Sequence, residues 1–266
     1  MTRSEKVALF RSLHVPGDPL VMPNPWDLGS AKLMRHSGAK ALATTSSGYG
    51  FTLGLPDGGH NGREMSLAHA ASFVPLGLPV NGDFENGFGT DPEIVAETVR
   101  MSAEAGLAGV GIEDIDLPGN DAYPFDLAVE RIKAAVTAAR EVDIVLTARA
   151  DGWLTRAYDA AEAVRRCRAF AEAGADVIYA PLVKEETVRE LASIGTPVNV
   201  LAAGHMTKRS VAEIADMGAA RISIGGALAR VTHKVALDGT RAILGGDLSV
   251  LQSAASASEI DAILKD

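Results

Sequence analysis

The chain has 266 residues, 47% hydrophobic and 22% charged, the balance of an ordinary globular protein with ample material for a core. Its net charge of −9 argues against nucleic acid or an anionic membrane as partner, and no uncharged apolar run is long enough to span a bilayer. The single cysteine, Cys167, excludes a disulfide framework and a cysteine-based zinc site, and fits a reducing, cytoplasmic location.

Residues 1–16 scatter Lys6, Arg11 and His14 among apolar positions and lack the apolar core of a secretory signal. The first strand is predicted at Leu20–Pro23, leading into Asn24-Pro25-Trp26-Asp27. A helix follows over Ser30–Ser37, with Asp27 as its cap and Gly38 as its stop. Further strands are predicted at Ala41–Thr45, Pro79–Asp83, Gly109–Glu113, Ile144–Arg149, Asp176–Ala180, Pro197–Leu201 and Arg221–Gly225. Helices fall between them, among others at Asp91–Ala105, Asp126–Arg140 and Ala157–Ala173, and Leu248–Asp266 reads as a terminal helix. The glycine-rich stretch Gly48–Gly62, with Tyr49 and His60, reads as a lid without the lysine of a phosphate-binding loop.

The helices before four strands close on glycine: Gly38, Gly106, Gly174 and Gly218. Fully apolar strands alternating with helices indicate a parallel sheet buried on both faces. Eight such units with no low-complexity linker predict a single α/β domain over residues 1–266, a (β/α)₈ TIM barrel. The doubly wound open sheet is the rival, weakened because no dinucleotide fingerprint follows the first strand.

Barrel enzymes carry their chemistry at the C-terminal ends of strands, and here those ends are polar. They supply Asn24 and Asp27; Thr44, Thr45, Ser46, Ser47 and Gly48; Asp83 and Glu85; Glu113 and Asp114; Arg149 and Asp151; and Asn199. On an extended strand Asp83 and Glu85 face one side; taken alone the segment reads equally as a solvated acidic turn or as like charges held around a cation. Oxygen-only donors suit Mg²⁺ or Mn²⁺. Arg149 has the fork for a carboxylate or phosphoryl group, and Ser46-Ser47-Gly48 can offer a hydroxyl and backbone N–H groups to an oxyanion. Together these groups suit a small anionic substrate that chelates a divalent ion, such as a 2-oxo acid.

Individual residues outside this set read as structural. Cys167 is a helix thiol away from the strand ends, and Arg165, Arg166 and Arg168 form a solvated helix face. Asp114 orients loop backbone, and Tyr123 packs or donates a proton from its loop. His205, after the seventh strand, is either a surface histidine or an acid/base group that reaches the pocket.

The motifs Ala43-Thr44-Thr45-Ser46-Ser47-Gly48, Gly54-Leu55-Pro56-Asp57-Gly58, Asp83-Phe84-Glu85-Asn86-Gly87-Phe88-Gly89, Gly111-Ile112-Glu113-Asp114 and Ala148-Arg149-Ala150-Asp151 occur in that order. With this spacing, most of the chain resembles the isocitrate lyase / phosphoenolpyruvate mutase superfamily. The resemblance implies Mg²⁺-dependent enolate chemistry, with Asp83 as direct metal ligand and Asp57, Glu85 and Glu113 on metal-bound water. It places Ser46, Ser47, Gly48, Asp83 and Arg149 on substrate, with Asn199 near a substrate-contact strand; Arg149, Ser46 and Glu113 are the expected catalytic groups, and His205, by its place after the seventh strand, is a further substrate-side candidate. Glu85 stands where aspartate is usual. The resemblance further implies a terminal helix exchanged between subunits in a dimer-of-dimers tetramer.

Two departures narrow the activity. The loop Ile115–Pro124 lacks the cysteine of the family's lyases, which argues against isocitrate or methylisocitrate cleavage. Gly119 takes the place of the phosphonate branch's lysine, with Asp121 roughly at its asparagine. The expectation is a lyase or decarboxylase for a small 2-oxo or 2-hydroxy (di)carboxylate of oxaloacetate type. The alternatives are phosphonopyruvate-type P–C chemistry, or an oxo-acid-binding protein with little catalysis.

Overall fold

The computed structural model describes residues 1–265. In chain order its elements are α1 (Arg3–Ser12), β1 (Leu20–Met22), α2 (Leu28–His36), β2 (Leu42–Ala43), α3 (Ser46–Thr52), α4 (Arg63–Ala71) and β3 (Val80–Asp83). Next come α5 (Pro92–Glu104), β4 (Gly109–Glu113), β5 (Ile115–Asp116), β6 (Asp121–Ala122), α6 (Phe125–Val142), β7 (Val145–Arg149) and α7 (Ala160–Ala173). The chain continues through β8 (Val177–Tyr179), α8 (Glu185–Ala192), β9 (Val198–Leu201), α9 (Val211–Ala215), β10 (Arg221–Ser223), α10 (Ala227–Leu244) and α11 (Ala257–Lys265).

All eight expected strands are present. They form one parallel sheet in the order β1-β10-β9-β8-β7-β4-β3-β2. Its two edges meet through a backbone bond from Ala43 to the Pro23 carbonyl (3.1 Å) and a side-chain bond from Asn24 to the Thr44 carbonyl (3.0 Å). The fold is therefore a (β/α)₈ barrel. Strands such as β4 and β8 are buried throughout, because helices cover the outside while side chains fill the inside. The outer core packs α5, α6 and α7 against the sheet through residues such as Val95, Ile132 and Phe170. A second cluster, with Val7 and Phe10 of α1 against Val145 and Val177, closes the barrel's N-terminal end.

Local sequence sets the helix ends. The Asp27 carboxylate accepts from the Ser30 backbone at 2.6 Å and starts α2, as expected. The four glycines expected to stop helices all have positive φ.

Four features differ from expectation. The lid region begins with a short helix, α3, because Thr45 caps it. The loop after β4 contains the antiparallel hairpin β5–β6. Leu248–Asp266 is not one helix: a 3₁₀ turn at Ser249–Ser253 precedes α11, and Asp266 lies outside the described residues. Helix α10, whose apolar positions Val231, Val235 and Leu244 are exposed, was not anticipated. In this chain α11 packs on α2 of the same chain.

Candidate active site

A cavity of about 460 Å³ opens at the C-terminal ends of the strands and runs down into the barrel. Ser46 and Ser47 line it from the first turn of α3, Asp83 from the end of β3, Glu113 from β4, Arg149 from β7 and Asn199 from β9. Asp57 and Glu85 join them from loops. Gly48 stands behind this wall, where an added Cβ would lie 2.6 Å from Thr45 and 3.1 Å from Trp26. His205 is exposed in a 3₁₀ turn and is not among the lining residues.

Arg149 organises the centre. Its Nε and Nη2 donate to the two oxygens of Asp151 at 3.0 and 2.7 Å. Its Nη1 meets Asp83 Oδ1 at 2.6 Å, and its Nη2 meets Glu113 Oε1 at 2.9 Å. The guanidinium is thus held by the protein's own carboxylates. The backbone N–H and hydroxyl of Ser46 both donate to Asp83 Oδ2 at 2.9 Å, which fixes that carboxylate from its other side.

Asp83 and Glu85 reach the cavity by different routes. The strand ends at Asp83, and Glu85 has φ 48, outside the extended alternation assumed for it. Its backbone carbonyl accepts from Glu113 (2.8 Å), and its Oε1 accepts from the Gly59 backbone (2.9 Å). That bond draws the lid loop over the site. There Gly59 lies against the β5–β6 hairpin, where a Cβ would come within 2.8 Å of Leu117.

Five carboxylates (Asp57, Asp83, Glu85, Glu113 and Asp151) and three guanidiniums (Arg149, Arg221 and Arg230) line the cavity, a formal excess of two negative charges when every group is ionised. Burial pushes the Glu85 carboxyl up to about 7, with Asp83 and Asp57 adding to it. Burial likewise raises Asp151 to about 6 and Glu113 well above the usual range, with Arg149 opposing both shifts. Asp57 is raised by burial and by Asp83. This negative charge is incompletely neutralised. Oxygen donors without histidine or cysteine suit a hard divalent cation. Among the described residues no three such side chains converge for direct chelation. These oxygen donors are of the type that Mg²⁺ takes, an ion that keeps much of its water and needs one or two carboxylates.

The site rests on a buried pair below it. Asp114 accepts from the Asp151 backbone (2.8 Å), Tyr158 (2.8 Å) and Arg166 (2.9 Å). Asp114 thus orients backbone, as expected. Arg166 corrects the expectation of a solvated face: it is 5% exposed and ion-paired, because α7 turns it inward onto Asp114. Tyr123 is buried, accepting from Asn86 and donating to Asp116. Cys167 is fully buried, which raises its thiol pKa.

Several lining residues escaped the sequence reading. Arg230, from α10, lines the mouth and forms no ion pair with another described residue. Asn120, at the turn of the hairpin, lines the cavity where Asp121 does not. Deeper down, Tyr179, Ser223 and Arg221 join Asn199. The alternation Arg221-Ile222-Ser223 was the available signal, since it sends two polar side chains inward from one strand.

The sequence matches the phosphoenolpyruvate phosphomutase family over residues 10–244. An uncharacterised protein of Mycobacterium tuberculosis strain H37Rv, Rv1998c, is 32% identical over 241 residues, 90% of this chain and 90% of that protein. The 2,3-dimethylmalate lyase of Eubacterium barkeri is 33% identical over 193 residues, 68% of this chain and 66% of that enzyme. A crystal structure from Burkholderia cenocepacia J2315, provisionally assigned as a lyase or mutase, superposes with a TM-score of 0.93 at 39% identity, covering 99% of this chain and 97% of that one.

Proposed function

This chain belongs to the phosphoenolpyruvate phosphomutase family, and on that premise we propose that it is a Mg²⁺-dependent carbon–carbon lyase or decarboxylase for a small 2-oxo or 2-hydroxy dicarboxylate. The observation that carries the reading is the ring of five partly neutralised carboxylates around Arg149 at the barrel mouth.

In this reading Asp83 holds the ion directly, and Asp57, Glu85 and Glu113 hold its water. When bound, Mg²⁺ supplies a Lewis acid at the substrate carbonyl. Arg149 fixes Asp83 and Glu113 in place, so little reorganisation accompanies reaction. Ser46 steadies Asp83 from its other side, through its N–H and hydroxyl. Arg230 offers a guanidinium to a substrate carboxylate, and the Gly59–Leu117 contact shields the mouth from water. No lysine, histidine or cysteine lines the cavity among the described residues. That suits a reaction asking little of acid–base groups, as decarboxylation does once electrons have a sink.

A second reading, P–C bond chemistry, is favoured by Asn120, which brings a loop asparagine to the cavity. The exposed apolar positions of α10 support assembly with further copies of the chain, which we read as a tetramer. A cytoplasmic location is consistent with the single buried cysteine.

An activity panel with Mg²⁺ and with chelator tests the reading. It spans oxaloacetate, its alkyl and hydroxy derivatives, and phosphonopyruvate, and follows pyruvate, CO₂ and phosphate. Metal-dependent pyruvate from a dicarboxylate is the expected result. Phosphate release would favour the second reading. Mg²⁺-dependent binding without product from any of these would identify a binding protein.

A further inference from the structure

The cavity does not end at the carboxylate ring. Beneath it lies a second polar layer that the proposed chemistry does not use. Arg221 of β10, 3% exposed, lines the cavity at this depth. Its Nε donates to Asn199 Oδ1 at 2.9 Å, and its Nη1 meets His14 Nε2 at 3.3 Å. His14 donates from Nδ1 to the Phe10 carbonyl (2.7 Å), so Nε2 is the accepting nitrogen and the ring is neutral. Asn199 is neutral as well, and passes a bond to Ser223 at 2.9 Å. Tyr179 lines the same layer of the cavity. No carboxylate among the described residues pairs with Arg221.

A buried guanidinium without a counter-ion is costly, and proteins ordinarily pair it. A second observation points the same way. Another lining side chain, Thr147, has a buried hydroxyl without a hydrogen-bond partner, free to donate to an anion. Thr147 lies two residues before Arg149 on β7, so it shares the inward face of Arg149 one layer down. Gly111 of β4 lines the cavity between the two layers, and an added Cβ there would only touch Arg149, at 3.7 Å. Below, Phe10 of α1 and His14 just beyond that helix pack edge to face and close the barrel beneath this layer.

We propose that Arg221, carried by Asn199 and His14, is an anion subsite that receives the distal carboxylate of the substrate, with Ser223 and Thr147 as its polar surround. The substrate would lie along the barrel axis, its oxo-acid end at the carboxylate ring and its second carboxylate at Arg221. This selects dicarboxylates over monocarboxylates of equal length. The inference rests on the proposed oxo-acid function and makes Arg221 its specificity-determining residue.

The test is calorimetric binding, in the presence of Mg²⁺, of matched 2-oxo acids with and without a terminal carboxylate. 2-Oxoglutarate against 2-oxovalerate is one pair, with four- and six-carbon pairs beside it. Oxalate, too short to reach the floor, is the control. Wild-type protein should prefer the dicarboxylate of at least one pair by about tenfold or more, the scale of a hydrogen bond to a charged group. Arg221→Met should abolish that preference while oxalate affinity stays unchanged. Ser223→Leu, which places bulk directly above Arg221 and leaves the charge in place, should do the same and carries the test if Arg221→Met does not fold. A wild-type protein without the preference at any length, or a preference that survives either folded variant, overturns the proposal. Failure of oxalate to bind the wild type would instead count against the oxo-acid function; the paired preference is then still read without Mg²⁺.

Discussion

Replacing His14 with glutamine removes a titratable group from the barrel floor while keeping an acceptor for Arg221. Burial holds His14 down at about 3 from its ordinary 6.5, with the Arg221 charge adding to the effect and the Phe10 carbonyl opposing it. A histidine depressed in the folded state contributes stability that is present above about pH 6.5. That stability is lost as pH falls toward the folded value, because the unfolded chain takes up the proton and the folded chain does not. Between pH 7.5 and 5.0 the loss spans about 1.5 pH units below 6.5, or about 2 kcal/mol. Urea denaturation of both proteins at both pH values isolates it. His69, buried and held at about 4, titrates alike in both proteins and cancels in the comparison. The stability of wild type relative to His14→Gln should fall by about 2 kcal/mol from pH 7.5 to 5.0. An equal difference at both pH values would refute the placement of a neutral, buried His14 against Arg221.

Arg166→Met leaves Asp114 buried without its cation. It should cost about 3–5 kcal/mol in urea denaturation, the scale for breaking a buried pair from one side; a loss under about 1 kcal/mol would show that the pair is solvated. Gly152→Ala places a Cβ 2.1 Å from the Tyr158 ring, so the ring must move off Asp114. The expected cost is about 1–3 kcal/mol, read as a lower Tm, and an unchanged Tm would show that the ring moves without loss.

Much of the fold was legible because most strands are short, largely apolar runs ended by polar residues, as a parallel barrel covered by helices requires. The carboxylate ring was legible for the same reason: Asp83, Glu113, Arg149 and Asp151 sit at or just beyond strand ends, where the barrel collects them. Glu85 was found by its neighbourhood with Asp83, although its left-handed backbone departs from the strand geometry that suggested it.

What stayed hidden depends on contacts distant in sequence. Arg166 follows Arg165 in a run that looks solvated, and only the position of Asp114, 52 residues earlier, turns it inward. Arg230 is a helix arginine among exposed neighbours, and nothing local says that the start of α10 overlooks the cavity. Asn120 reaches the cavity because the loop folds into a hairpin, which places it rather than Asp121 at the turn.

The central claim is that the carboxylate ring holds a divalent ion and that a 2-oxo acid sits on it. Oxalate has the planar dianionic form of a 2-oxo acid's enolate, so its titration into wild type and Asp83→Ala, each with Mg²⁺ and with chelator, tests the claim most directly. The prediction is tight binding to wild type only with Mg²⁺, and at least about a hundredfold weaker binding to a folded Asp83→Ala, the scale of losing a metal ligand's charge from the site. Equal oxalate binding with Mg²⁺ and with chelator, or with and without Asp83, would contradict it.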